Sequence, residues 1–121
     1  MSLSFYNTMS RQLEAFAPQE SGKAGLYTCG PTIYNFAHIG NFRAYVFEDL
    51  LKRYLQYRGY AVHHIMNLTD VEDKLIRTCR ETGESLKSLT GRYAAAFFED
   101  LDALGIVRAD AYPAATDHIP E

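Results

Sequence analysis

Gly25-Leu26-Tyr27-Thr28-Cys29-Gly30-Pro31 is a short apolar run halted by a glycine-proline pair, the punctuation of a strand that ends abruptly in a loop. A first core strand is therefore predicted over 23–28. Past the loop, from Phe42 to Arg58, Val46, Phe47, Leu50, Leu51, Tyr54 and Leu55 recur at helical spacing, while Glu48, Asp49, Lys52, Arg53 and Gln56 fill the opposite face. Gly59 is the expected stop. Ala61 to Leu68 shows no clean alternation and carries Val62, Ile65, Met66 and Leu68, as expected of a strand covered on both faces in a parallel sheet. Strand, helix and strand make a βαβ unit. Its right-handed crossover brings the carboxyl ends of both strands to one rim, where α/β folds bind their ligands.

Upstream, Leu3 to Thr8 and Gln12 to Ala17 are two short, partly apolar runs around a polar turn and predict a small hairpin or edge strands. Downstream, a short helix is expected from Val71 to Arg80, ended by Gly83. Another is expected from Ser85 to Leu104, with Leu86, Leu89, Tyr93, Phe97, Leu101 and Leu104 on one face as core. Tyr112-Pro113 opens a polar turn, and Asp117-His118-Ile119-Pro120-Glu121 follows with no cap, apolar anchor or sheet edge. Together with Met1-Ser2-Leu3, which reads as a cloning remnant, this end suggests a fragment.

Composition narrows the class. The 121 residues are 47% hydrophobic and 22% charged, which excludes disorder and repeat fibres and suits one domain with a modest core. No apolar run approaches the roughly 18 residues of a membrane span, so a soluble, cytoplasmic protein is expected. Two cysteines, Cys29 and Cys79, cannot form a disulfide framework and fit a reducing compartment. With 12 basic against 15 acidic residues the net charge is −3, and no general basic field advertises a nucleic-acid partner.

The chemistry-bearing residues gather at the expected rim. Cys29, Gly30, Pro31 and Thr32 follow the first strand, and Ala37-His38-Ile39-Gly40-Asn41 runs into the long helix. A helix start offers free N–H groups and a positive dipole end for phosphate. His38 adds an imidazole, Gly40 leaves room for a flat base, and Asn41 adds a carboxamide. The same residues also spell an ordinary helix cap. From spacing alone Cys29 reads as a small buried hydrophobe sooner than as a metal ligand, since no second ligand stands at zinc-finger spacing and His63 and His64 point to opposite faces of a strand. After the second strand, Asn67-Leu68-Thr69-Asp70-Val71-Glu72-Asp73-Lys74 brings a Thr69 hydroxyl to face Cys29 across the crevice. Asp70, Glu72 and Asp73 read as the cap and first turn of the next helix.

These segments, with Phe5-Tyr6-Asn7-Thr8 near the start and Ala115-Thr116-Asp117-His118-Ile119 near the end, together resemble the amino-terminal part of the cysteinyl-tRNA synthetases, a family of class I aminoacyl-tRNA synthetases. His-Ile-Gly-Asn alone marks only a nucleotidyl-transfer fold; Cys-Gly-Pro-Thr nine residues before the histidine points to the cysteine enzymes. The resemblance implies a Rossmann-like α/β catalytic domain, here partial, with its remainder and an anticodon-binding domain beyond residue 121. It implies activation of cysteine with ATP and Mg²⁺ to cysteinyl-adenylate, then transfer to tRNA(Cys). Cys29 matches the first ligand of a Zn²⁺ ion that selects cysteine over serine, the other ligands lying downstream. His38 and Asn41 match the outer positions of the His-Ile-Gly-His signature and so imply catalytic roles, with Gly40 joining them in ATP binding; Asn41 departs from that signature. Gly30, Thr32 and Thr69 are implied substrate contacts. The fragment is expected to be inactive alone, and the oligomeric state stays open, a monomer included. Two other readings stand beside this one: a mycothiol-type ligase that joins cysteine to an amino sugar, and a non-catalytic nucleotide- or protein-binding module.

Overall fold

In the computed structural model, which describes residues 3–119, strands β1 (Ser4–Asn7) and β2 (Gln12–Ala15) pair as the expected antiparallel hairpin. The expectations placed on Met1, Ser2, Pro120 and Glu121 lie outside the described residues. Phe16 fastens the hairpin to the sheet by edge-on contacts with Phe5 and Tyr60, ring centroids 5.6 and 5.5 Å apart. Strand β3 (Lys23–Thr32), helix α1 (Ile39–Tyr57) and strand β4 (Ala61–Thr69) then form the expected βαβ unit, with β3 and β4 parallel. Helices α2 (Asp73–Thr82) and α3 (Leu86–Ala103) follow, and a short 3-10 turn closes the described chain.

Four expectations need correction. Strand β3 does not stop at Gly30-Pro31: the pairing slips between Cys29 and Thr32 and resumes at Thr32 opposite Thr69, so the glycine and proline form an irregularity within the strand. Strand β4 is not covered on both faces. His64, Met66 and Leu68 are buried beneath the helices while His63 on the other face is exposed. The stretch expected as a polar turn at Tyr112-Pro113 lies along a sheet edge, because Ala111 and Ala114 bridge to Ile65 and Leu68 in parallel and extend the sheet beyond β4. Finally, Asp70 caps no helix; its carboxylate accepts hydrogen bonds from the backbone N–H (2.9 Å) and hydroxyl of Thr116, while the N-cap of α2 is Glu72, whose side chain makes no capping bond.

Helix α1 departs furthest from its pattern. Its buried residues are Phe42, Tyr45, Lys52 and Leu55, whereas Val46, Phe47, Leu50 and Tyr54 are exposed. The opposite, polar flank holds the 105–108 turn. Lys52, 3% exposed, donates to the Arg108 carbonyl at 2.6 Å, Arg53 donates to the Gly105 carbonyl at 2.6 Å, and Asp49 accepts from the Val107 N–H at 3.0 Å. Those turn carbonyls and the N–H would otherwise lack partners in the fold. Phe42, Tyr45, Ile33, Met66, Leu68, Phe97, Leu101 and Ile106 make the core, with the Phe97 ring against both Phe42 and Tyr45.

Between α1 and the sheet lies a buried polar chain. Thr28 Oγ1 sits 2.9 Å from His64 Nε2 and also hydrogen-bonds Glu48, so a hydroxyl that donates to the carboxylate accepts from Nε2–H. His64 Nδ1 and one Glu48 oxygen have no hydrogen-bond partner. Burial, reinforced by the Lys52 charge, lowers the His64 imidazole below its ordinary 6.5, while Asp110 and Asp49 oppose the shift. The unfolded chain therefore takes up this proton first as pH falls, and the His64 contribution to stability, complete above pH 6.5, declines below it. Burial raises Glu48, the hydrogen bond from Thr28 opposing it, so that group acts in the opposite sense and a single substitution is needed to isolate His64. His64→Gln is expected to shrink the stability lost between about pH 7.5 and about pH 5.5. Denaturant titrations at the two pH values check this, and an unchanged loss would assign the acid sensitivity to other groups.

Candidate active site

The carboxyl ends of β3 and β4 and the amino end of α1 meet at one rim, as the βαβ reading requires. The close approach there depends on Gly30. A Cβ built at that position would lie 2.0 Å from the Asn67 carbonyl oxygen and 2.9 Å from the Met66 side chain, so no side chain fits without moving β4. The Gly30 N–H reaches toward Asn67 Oδ1 at 3.4 Å, and Asn67 Nδ2 toward Thr69 Oγ1 at 3.4 Å. Asn67, which the sequence reading left without a role, thus bridges the two strand ends. Gly30→Ala is expected to cost about 2–3 kcal/mol of stability by forcing the strands apart, as overpacking does. Denaturant titration reads it; a loss within ~0.5 kcal/mol would show that the strand irregularity absorbs a methyl group.

Cys29 is exposed and opposite Asn67 in the pairing. Because side chains alternate along a strand, Cys29, Asn67 and Thr69 share one face, which agrees with the expected Thr69 hydroxyl on the Cys29 side of the crevice. The thiol makes only a long contact to its neighbour's carbonyl, 3.7 Å to the Gly30 oxygen. Among the described residues no three His, Cys, Asp or Glu side chains gather as a metal site. An exposed soft donor at a strand end suits one zinc ligand, and these residues provide no complete set. Below it, burial and the nearby Glu48 and Cys29 push the Tyr45 phenol up to about 12, so this ring stays neutral.

At the helix start the cap reading of His38 holds. His38 is the N-cap of α1: its Nδ1 accepts from the Gly40 N–H at 3.1 Å, and the Asn41 carboxamide oxygen accepts from the His38 N–H at 2.9 Å. This reciprocal cap fixes the chemistry of the ring. With Nδ1 accepting, the neutral imidazole carries its proton on Nε2, and with the Asn41 oxygen engaged the amide NH₂ is the remaining donor. Some of the helix-start N–H groups expected for phosphate are therefore occupied by the cap, while two side-chain donors remain. A Cβ at Gly40 would lie in ordinary contact with the ring, 3.4 Å from Nδ1.

His38 and Asn41 line a cleft of about 520 Å³ with Pro31, Thr32, Tyr34, Phe36, Glu72 and Lys74 among its other walls. The structure thus brings together Thr32, His38 and Asn41 of the expected site. Cys29, Gly30, Gly40 and Thr69 sit outside the cleft walls. Lys74 and Tyr34 were not legible as site residues. The Lys74 ammonium stands 5.1 Å from the Tyr34 ring centroid, which puts a cation in the cleft facing the helix start. A larger hollow of about 600 Å³ lies at the amino ends of the strands, with Phe16, Gln19, Glu20, Lys23 and His63 among its walls, and there the Lys23 ammonium is paired with Glu20 at 2.6 Å.

Residues 15–121 match a family model described as the tRNA synthetases class I (C) catalytic domain. A cysteine-tRNA ligase of Chlamydia muridarum is 56% identical over 121 residues, all of this chain and 25% of the relative. One of Brachyspira hyodysenteriae is 55% identical over 117 residues, 97% of this chain and 25% of the relative. One of Lysinibacillus sphaericus is 48% identical over 121 residues, all of this chain and 26% of the relative. The chain spans about a quarter of the length of the curated relatives it matches.

Proposed function

Because the chain belongs to the family of class I tRNA synthetase (C) catalytic domains, we propose that residues 1–121 form the amino-terminal part of the catalytic domain of a cysteine-tRNA ligase. The rest of that domain and an anticodon-binding domain follow downstream. The observation that carries this reading is the rim itself: an exposed thiol at Cys29, two residues before Pro31 in the wall of a cleft that His38, Asn41 and Lys74 also line. Thiol recognition and phosphate recognition adjoin, as a reaction between cysteine and ATP requires.

The cysteine carboxylate attacks the α-phosphorus of ATP, supplied with Mg²⁺, and pyrophosphate leaves. A hydroxyl of the terminal adenosine of tRNA(Cys) then attacks the adenylate carbonyl and releases AMP. No protein nucleophile is needed, so this chain's part is positioning and charge stabilisation. His38 Nε2–H and the Asn41 amide donate to phosphate oxygens, Lys74 adds positive charge across the cleft, and Gly40 lets the base approach the backbone. Gly30, Thr32 and Thr69 shape the amino-acid side of the rim. Cys29 provides one ligand to Zn²⁺, the remaining ligands coming from downstream. When bound, the zinc ion supplies a soft acid that favours a substrate thiol over a hydroxyl.

No helix among the described residues is long and apolar enough to cross a membrane, and an enzyme of translation works in the cytoplasm. The test is the acceptor. The full-length chain, given radiolabelled cysteine and ATP, is expected to charge tRNA(Cys). Transfer to an amino sugar with no charging of tRNA would overturn the proposal in favour of a mycothiol-type ligase.

A further inference from the structure

The segment Ala115-Thr116-Asp117-His118-Ile119 takes no part in the site described above, yet the fold brings its start to the same rim. Residues 111–116 run alongside β4. The Met66 N–H donates to the Ala111 carbonyl at 3.1 Å, the Leu68 N–H donates to the Pro113 carbonyl at 2.9 Å, and Ala111 and Ala114 stand opposite Ile65 and Leu68. Asp70 and Thr116, 46 residues apart, continue that register one step further. There a side chain takes over from the backbone ladder: the Asp70 carboxylate accepts from the Thr116 N–H at 2.9 Å and from the Thr116 hydroxyl.

Asp70 is 9% exposed and ends the row of His64, Met66 and Leu68 that β4 turns toward the helices, so strand alternation sends Thr69 to the opposite face with Cys29 and Asn67. A carboxylate in that row needs strong donors, and Thr116 supplies two. The residues that flank Asp70 are those that face the site. Thr69 precedes it and is tied on its other side by the Ile33 N–H, which donates to the Thr69 carbonyl at 2.9 Å; Glu72 and Lys74, in the cleft wall, follow it. Asp70 is thus the fixed point between the two sides of the rim.

We propose that Asp70 and Thr116 are a pair of positioning residues for cysteine activation: their bond fixes the end of β4 so that the Thr69 hydroxyl, on the amino-acid side, and the Lys74 ammonium, on the phosphate side, stand at the separation the reaction needs. The inference deepens the assigned activity and rests on it. Losing the bond leaves each substrate its own contacts and spoils their relative placement. That acts on rate more than on binding, because a displacement of about 1 Å between reacting groups costs on the order of 10²-fold.

Thr116→Val and Asp70→Ala in the full-length chain test this. Both are expected to slow cysteine-dependent pyrophosphate exchange at saturating substrate by about 10- to 100-fold, with KM for cysteine and for ATP changed less than about threefold and zinc content unaltered. Thr116→Ser keeps the hydroxyl and is expected to stay within about twofold of the unaltered chain. The double variant is expected to be no slower than Asp70→Ala, since the two residues act as one unit. Amide hydrogen exchange gives a readout independent of activity: the Thr116 and Ile33 N–H groups are expected to exchange at least about tenfold faster in Asp70→Ala, while Phe97 and Leu101 in α3 keep their protection. An unaltered rate in Thr116→Val, an equal loss in Thr116→Ser, or unchanged protection at Thr116 and Ile33 would overturn the proposal. No pyrophosphate exchange by the unaltered chain would sink the assigned activity, and with it the role in cysteine activation, while the amide result still decides whether the pair holds the rim.

Discussion

Cys29→Ser in the full-length chain is expected to lose its bound zinc and to slow cysteine activation by at least about 10²-fold, with most of its preference for cysteine over serine gone. The thiol is exposed at the end of β3, and its hydrogen bond among the described residues is a long one, 3.7 Å to its neighbour's carbonyl, so the substitution removes little structural support. A neutral hydroxyl is a poor partner for a soft site that the substrate's own sulfur would complete. Metal analysis and cysteine-dependent exchange read the two parts separately. Zinc at one per chain with unchanged activation in the variant would remove Cys29 from the ligand set.

His38→Ala is expected to slow adenylate formation by about 10²- to 10³-fold while zinc content stays intact, the magnitude typical for loss of one preorganised donor in a transition state. Alanine also removes the cap of α1, worth about 1 kcal/mol, because His38 Nδ1 accepts from the Gly40 N–H. A second variant separates the two effects. Asparagine is a good N-cap but carries no imidazole, so His38→Asn is expected to regain most of the stability and none of the rate. If the asparagine variant exchanged pyrophosphate at the rate of the unaltered chain, His38 would be a helix cap and nothing more.

The βαβ unit and the two helices after it were legible because glycine and proline punctuate the chain and the helical periods are long. The stop at Gly83 matched the structure for the same local reason, Gly83 adopting a positive φ of 71°, and Ser85, expected as the first residue of the next helix, is its N-cap and accepts from the Ser88 N–H. Long-range partners were harder. Lys52 was placed on the polar face of α1, yet it is buried and donates to the Arg108 carbonyl, and Asp70 looked like a helix cap although its partner, Thr116, stands 46 residues away. The stop at Gly30-Pro31 was overread because a strand can carry an irregularity wherever its neighbour's backbone comes close, and that neighbour, Asn67, is 37 residues distant. At the site, motif spacing pointed to His38 and Asn41. Lys74 and Tyr34 join them only through the fold of the loop and the start of α2, which leaves no mark in the spacing.

Amino-acid-dependent ATP–pyrophosphate exchange by the zinc-loaded full-length chain is the most direct test of the central claim that this rim activates cysteine. The account predicts rapid exchange with cysteine and background exchange with serine or with no amino acid. Exchange at background with cysteine, or equal exchange with serine, would contradict it.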